Sequence, residues 1–286
     1  GDNCADIVQQ HFAAARWLRR NTAPDARVVV NDAGAIPYLS GRHTHDLVGL
    51  TDNAFFGAWT HMPYYMNAPV WEALERLEPR PGYLLAYPDW IPDLHGLALF
   101  QPLTRFAAPT RTIAGGRHKY VWRLRWERLR DADAPPHWLA RGRTLQDRLD
   151  VADLRDEADH GYARLDRGWP RGLVDQTRER GRALVDGGRH VRVGEAFTLR
   201  ARPRQRALLV LRTQGPGEVD LELEVGGSRL RWRAPLRHGL TVASRPIPAR
   251  LVLGRRLRVV VRALRPYASF HYWLLQRGPG EQPASR

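Results

Sequence analysis

The sequence predicts an α+β protein: a small α/β layered domain over residues 1–130, followed by an antiparallel, jelly-roll-like β-sandwich over residues 187–277. Three observations carry this reading. In the first 130 residues, helix-period segments interleave with short apolar runs, the order that builds layers of helix and sheet. Beyond residue 187 the helical period disappears and short strand candidates follow one another, separated by Gly and Pro turns. Between them, residues 131–186 are charged and proline-bearing and read as a linker with some local structure, while the polar, Pro-rich tail 278–286 is expected to be disordered.

In order along the chain, Asp6 to Arg20 reads as an amphipathic helix, with Ile7, Phe12, Ala15 and Leu18 near one face and arginines suited to its negative end. Val28 to Val30 then run without polar interruption into Asn31 and Asp32, as a strand buried on both faces does on leaving its sheet. A carboxylate there faces a crevice. A loop through Gly34, Pro37 and Gly41 leads to a second short strand, Asp46 to Leu50, and to the polar cluster Thr51, Asp52 and Asn53. The aromatic stretch Phe55 to Tyr65 reads as an ordered loop over a pocket. A helix follows from Asn67, with Pro69 in its first turn, Val70, Leu74 and Leu77 on one face, and Glu72 and Arg76 at a supportive i, i+4 spacing. Gly82 to Tyr87, Leu97 to Leu103 and Lys119 to Trp126 are the remaining strands of this part. In the last of these, Tyr120, Trp122, Leu124 and Trp126 alternate with Val121, Arg123 and Arg125, which predicts one apolar and one largely basic face. The sandwich strands are expected at 195–200, 207–212, 219–225, 230–236, 240–244, 257–264 and 270–275.

A net charge of +15 resembles a nucleic-acid signature at first. Yet Lys119 is the only lysine, the arginines are dispersed, and Ala, Gly and Pro are abundant, a pattern of coding bias rather than of a phosphate footprint. No nucleic-acid partner is expected. Cys4 is the only cysteine, which excludes an internal disulfide and a cysteine-based zinc site. No window of eighteen apolar residues and no signal-peptide pattern occurs, so the chain as given reads as soluble, either mature or cut from something longer.

The candidate ligand-binding residues are Asp32, His43, Asp46, Asp52, Asn53 and His61, crowded polar groups that can line a pocket and hydrogen-bond sugar hydroxyls; the alternative is that they cap turns and sit in exposed loops. His43 and His45 would project to one side of an extended segment, with Asp46 or His61 as a third ligand, but spacing alone does not make a metal site, and no metal or cofactor is expected. Trp59, Trp232 and Tyr272 are the aromatics that could stack on a sugar ring, against the alternative that strand aromatics are core. Asp147, Asp150, Asp153, Asp156, Glu157 and His160 lack EF-hand spacing and are interrupted by Arg148 and Arg155, so they read as a solvated face. No hydrolase elbow, Walker loop, dinucleotide fingerprint or zinc-protease motif is present, so no catalytic residue is assigned.

The stretch 17–53, with Trp17-Leu18, the Asn21/Pro24 break, Asn31-Asp32-Ala33-Gly34-Ala35, Tyr38, Ser40-Gly41-Arg42 and Asp46-Leu47-Val48-Gly49-Leu50, resembles the soluble segment after the transmembrane helices of bacterial polytopic GT-C type glycosyltransferases. These are lipid-phosphate-sugar-dependent mannosyl- and arabinofuranosyltransferase-like proteins. The stretches around 147–162 and 186–197 look similar to their downstream part. The resemblance implies an extracytoplasmic, periplasmic-side module tethered to the inner membrane in its parent protein. Its partners would be a glycan or lipid-linked sugar and the membrane surface or the transmembrane part. Family catalysis lies in loops between transmembrane helices, so the chain is expected to bind or position rather than catalyse. The alternatives are an independent hydrolase using paired carboxylates such as Asp32 and Asp52, and a structural periplasmic docking module.

Overall fold

In a computed structural model the chain is described over residues 5–53, 55, 67–109, 114–166, 172–179, 181–215, 217–235 and 239–278. It divides into two compact units, Gly1–Arg128 and Leu129–Arg286. The aromatic stretch around Trp59 and His61, and the tail 279–286, lie outside the described residues.

The first unit opens with a π-helical segment, Ile7–Phe12, that continues into α1 (Ala13–Asn21). Then come β1 (Arg27–Val30), α2 (Ala35–Ser40), β2 (His43–Asp46), α3 (Asn67–Arg76), β3 (Tyr83–Ala86), β4 (Phe100–Ala107) and β5 (His118–Leu124). The five strands form one mixed sheet in the order β2-β1-β3-β5-β4. β1 is parallel to both β2 and β3, while β5 runs antiparallel to β3 and β4. All three valines of β1 are fully buried, as an uninterrupted β-branched run requires. Ala14 and Leu18 of α1 and Ile36 of α2 pack with Val28, Val30, Leu85 and Val121 on one sheet face.

Two local readings change. The loop expected after β1 contains α2, which Gly41 closes in the left-handed region at φ 61°, its N–H bonding Pro37 O. The second strand covers His43–Asp46, not Asp46 to Leu50. It ends at Asp46 because that carboxylate captures the backbone N–H groups of Val48, Leu50 and Thr51 at 2.9, 2.8 and 2.9 Å, an alternative to a strand ladder.

The second unit is a sandwich of two antiparallel sheets. It contains α4 (His137–Ala140), β6 (Thr144–Asp150), α5 (Leu154–Asp159), β7 (Ala163–Arg164), β8 (Gly172–Glu179), β9 (Arg182–Val191), β10 (Gly194–Arg200), β11 (Ala207–Gln214), β12 (Glu218–Val225), β13 (Ser228–Pro235), β14 (Thr241–Ile247), β15 (Arg256–Ala263) and β16 (Tyr267–Gln276). One sheet has the order β13-β12-β15-β10-β7; the other has β14-β11-β16-β9-β8, with β6 also paired to β16. From β9 to β12 each strand crosses to the opposite sheet. All seven expected sandwich strands form within a few residues of their expected limits. Leu149, Phe197, Leu209, Leu221, Val259 and Leu274, drawn from both sheets, share one core.

The linker reading of residues 131–186 is overturned, because this stretch supplies β6, β7, β8 and the start of β9. Its buried charges are neutralised in place. Asp147, 5 % exposed, accepts from Arg200 Nε and Nη2 at 3.1 and 2.9 Å and from the Arg200 backbone N–H at 2.6 Å. His160 Nε2 meets Asp147 Oδ2 at 3.3 Å, and its Nδ1 meets Asp156 Oδ1 at 3.2 Å. Deeper, the fully buried Glu195 accepts from the hydroxyls of Tyr162 and Ser269, both at 2.8 Å, from Tyr272 at 2.5 Å, and from Tyr267. Four hydroxyl donors around one carboxylate make a satisfied network of the kind that fixes a unique core arrangement.

Candidate functional site

In the first unit, strand order reverses at β1. The connection through α2 places β2 on one side, and the connection through α3 brings β3 to the other. The crevice outside the carboxyl ends of such strands is where open α/β sheets bind ligands. Asp32 leaves β1 at this point, Tyr87 leaves β3, and the register Ala86↔Tyr120 brings Lys119 of β5 to the same end. The π-helical segment supplies Gln10 and His11, both buried; wide helical turns of this kind recur at functional sites.

These side chains form one cluster. Lys119 Nζ pairs with Asp32 Oδ2 and lies 3.2 Å from His11 Nε2. The ammonium also sits over the Tyr87 ring, 4.6 Å from its centroid. Tyr87 OH donates to Gln10 Oε1 at 2.7 Å, and Gln10 Nε2 donates to the carbonyls of Phe106, Gly116 and Arg117 at 3.2 to 3.3 Å. Gly115 and Gly116 lie against the Tyr87 ring: a Cβ at either would come within 2.8 Å of a ring carbon. The ring is thereby held between glycine backbone and ammonium.

Burial pushes the Lys119 ammonium down to about 7. Burial, with the Lys119 charge second, pushes His11 down to about 4, so the imidazole is neutral at pH 7, with Nε2 set between Lys119 Nζ at 3.2 Å and Asp32 Oδ2 at 3.3 Å. Burial likewise raises the Tyr87 phenol to about 12. Lysine and arginine are not equivalent here, since a compact amine can titrate near neutrality and a guanidinium cannot. The Lys119 side chain is fully buried while that of Asp32 is 30 % exposed. Asp32 is therefore the solvent-facing member, an acceptor for hydroxyl or amine donors with a cation behind it.

The sequence-predicted residues separate accordingly. Asp32 stands in the crevice. Asp46 is consumed by its own loop, so its binding role is replaced by a structural one. Asp52 Oδ2 meets His45 Nδ1 at 2.6 Å, and the His43 and His45 rings meet at a tilt, 4.8 Å between centroids; burial and His45 hold the His43 imidazolium below its ordinary range. Asn53 is exposed on the same segment. Trp59 and His61 lie outside the described residues. Trp232 and Tyr272, 3 % and 0 % exposed, belong to the sandwich core, so neither offers a ring face to a sugar. Sequence reasoning missed Gln10, His11, Tyr87 and Lys119. The available signal was Lys119 itself, the sole lysine where arginine serves every other basic position. Its predicted basic face is, at Lys119 and Val121, a buried one.

A family described as "Domain of unknown function (DUF8728)" matches residues 5–144. No curated protein matches the chain. Among solved structures, similarity extends to the carbohydrate binding module CBM6cm-2 of the Cellvibrio mixtus lichenase 5A in complex with cellotriose, at 12 % identity and TM-score 0.31, covering 46 % of this chain and 97 % of that one. CBM35 of Cellvibrio japonicus Abf62 is similar at 12 % identity and TM-score 0.27, covering 37 % and 97 %. A family GH115 4-O-methyl-alpha-glucuronidase is similar at 10 % identity and TM-score 0.25, covering 30 % of this chain and 14 % of that chain. At these values the likenesses assign no ligand to this chain.

Proposed function

We propose that the chain is a saccharide-binding module, using the Asp32 crevice to hold a glycan acceptor or lipid-linked sugar for a membrane glycosyltransferase of the GT-C type. One observation carries the binding site: a part-exposed carboxylate at the strand-order reversal, with a buried amine paired to it from behind. A carboxylate accepts hydroxyl hydrogens through both oxygens, and hydrogen bonds to a charged acceptor are stronger than neutral ones. Lys119 supports Asp32 in this role by holding one oxygen and orienting the other. The glycosyltransferase context is supported by the resemblance of residues 17–53, which includes both Asp32 and the Ser40-Gly41-Arg42 turn. In that context the module works on the extracytoplasmic side, beside the transmembrane part of its parent. Among the described residues no helix is long and apolar enough to cross a membrane. A hydrolase with Asp32 and Asp52 as its working pair is less well supported, because Asp52 is engaged with His45.

The test is calorimetric titration of the whole chain with mannose- and arabinofuranose-containing oligosaccharides and with a short-chain polyprenyl phosphate sugar. Asp32→Asn keeps the shape of the side chain and removes its charge; losing one charge-assisted bond worth about 1.5–3 kcal/mol weakens binding roughly ten- to hundred-fold. Undiminished saccharide binding by a folded Asp32→Asn variant would eliminate the crevice as the site.

A further inference from the structure

A second cluster of ligating groups lies in the sandwich unit, built from β6, β16 and the residue preceding α4 by a few positions. His271 of β16 is fully buried, and its Nδ1 meets Asp186 Oδ2 at 3.0 Å. Asp186 also accepts from Arg212 Nη1 at 2.7 Å. With Nδ1 engaged by the Asp186 carboxylate, the ring is oriented so that Nε2 points away from Asp186. That Nε2 is buried and, among the described residues, has no hydrogen-bond partner. It faces Asp133 Oδ1 at 3.6 Å and Asp150 Oδ2 at 3.7 Å, beyond hydrogen-bond reach. The three atoms all lie within 4.8 Å of one another. Donors bonded to one ion at about 2.1 Å in a tetrahedral arrangement stand roughly 3.4 Å apart. The observed gaps are therefore too wide for direct bonds and close to the width that one ion spans.

We propose that Asp133 Oδ1, Asp150 Oδ2 and His271 Nε2 bind one divalent cation of the zinc type. The donor set selects the class: an imidazole nitrogen with two carboxylates suits zinc and its transition-metal neighbours, whereas calcium and magnesium prefer oxygen alone. The His271–Asp186 pair is the carboxylate–histidine arrangement that orients metal-binding imidazoles, and Trp273, stacked on His271 at 5.1 Å, holds the ring plane. An entry path exists on the Asp133 side, whose side chain is 31 % exposed against 15 % for Asp150. Arg148 Nη1 donates to the same Asp133 Oδ1 at 3.0 Å from its own half-exposed position, so an incoming ion displaces that bond or takes the second lone pair. Three protein donors leave a fourth position open to water or to an external ligand.

The alternative occupant of the gap is a proton on Nε2, and titration of the chelator-treated full chain with zinc chloride separates the two. The expected result is one equivalent of zinc bound, with affinity reduced at least 100-fold in His271→Ala and in Asp150→Asn. Asp186→Asn, which leaves all three donors in place, weakens binding 10- to 100-fold, as removal of such an orienting partner does. Because His271 is a core residue, Asp133→Asn on the rim is the decisive variant should His271→Ala fail to fold; it loses at least tenfold. The proposal is overturned if the parent chain binds no stoichiometric zinc, if Asp133→Asn and Asp150→Asn bind it undiminished, or if calcium binds there and zinc does not compete.

Discussion

Replacing His160 by glutamine should remove a stabilisation that exists only at neutral and acidic pH. His160 follows α5 and bonds Asp147 through Nε2 and Asp156 through Nδ1. The Asp147 and Asp156 carboxylates outweigh burial and raise the imidazolium to about 10. Its partner Asp147 moves the opposite way: burial opposes ionisation, but the bonds from His160 and Arg200 hold the carboxyl well below its usual range. A base raised in the folded state contributes its full stability below its unfolded pKa, near 6.5, and loses it as pH rises through the folded value of about 10. At 1.36 kcal/mol per unit that displacement amounts to about 5 kcal/mol in a dry site. Arg200 is 79 % and Asp156 21 % exposed on their side chains, so solvent screens the cluster, and a discount of about half leaves roughly 2 kcal/mol. The assay is urea unfolding of the parent and His160→Gln, followed by tryptophan fluorescence at pH 6, 8 and 9.5; urea avoids the ionic screening that guanidinium would add. The difference in unfolding free energy should be about 2 kcal/mol at pH 6 and shrink steadily toward pH 9.5. A difference that is flat with pH, or that widens toward alkaline pH, refutes the ion-pair account.

Two further outcomes follow from other parts of the molecule. Lys119→Met should raise the pKa of His11 from about 4, because the ammonium that depresses it is gone while the burial remains; histidine proton chemical shifts against pH report this directly, and an unchanged value removes Lys119 from the cluster. Gly188→Ala should cost about 1–3 kcal/mol, because the new Cβ would stand 2.5 Å from Ser269 O and 2.8 Å from a Phe270 ring carbon, and a backbone carbonyl within a strand cannot move aside cheaply; thermal unfolding measures the loss, and a neutral outcome contradicts the close packing of β9 on β16.

Elements whose side-chain period is local were legible in the chain, and those whose identity rests on partners were not. β12 reads as a strand because Val219, Leu221, Leu223 and Val225 alternate with Asp220, Glu222 and Glu224, and its two faces are buried and wet as that alternation requires. β6 reads as polar because Asp147, Arg148 and Asp150 interrupt it, yet it pairs with β16, since Arg200, His160 and Asp133 neutralise those charges from other elements. α2 was concealed by Pro37 and two glycines, which suggest a loop until the left-handed Gly41 is seen to close a helix turn. In the site, Asp32 could be singled out because a carboxylate after a buried strand end faces a crevice whatever lies around it. Asp46 could not be separated from it, because a carboxylate that binds ligand and one that ties up three backbone amides are the same residue in the same kind of loop.

The sequence by itself determined the seven later strands of the sandwich, the buried β1 with Asp32 at its exit, and the singularity of Lys119, since each depends on residue type and spacing along one segment. Only the tertiary structure decided what faces Asp32 and what faces His271. Gln10 and His11, Tyr87, and Lys119 come from three separate segments of one unit, and Asp133, Asp150, Asp186 and His271 from four of the other. Burial strips these groups of water, so their protonation and pairing follow from neighbours far away in sequence, and no local pattern encodes them.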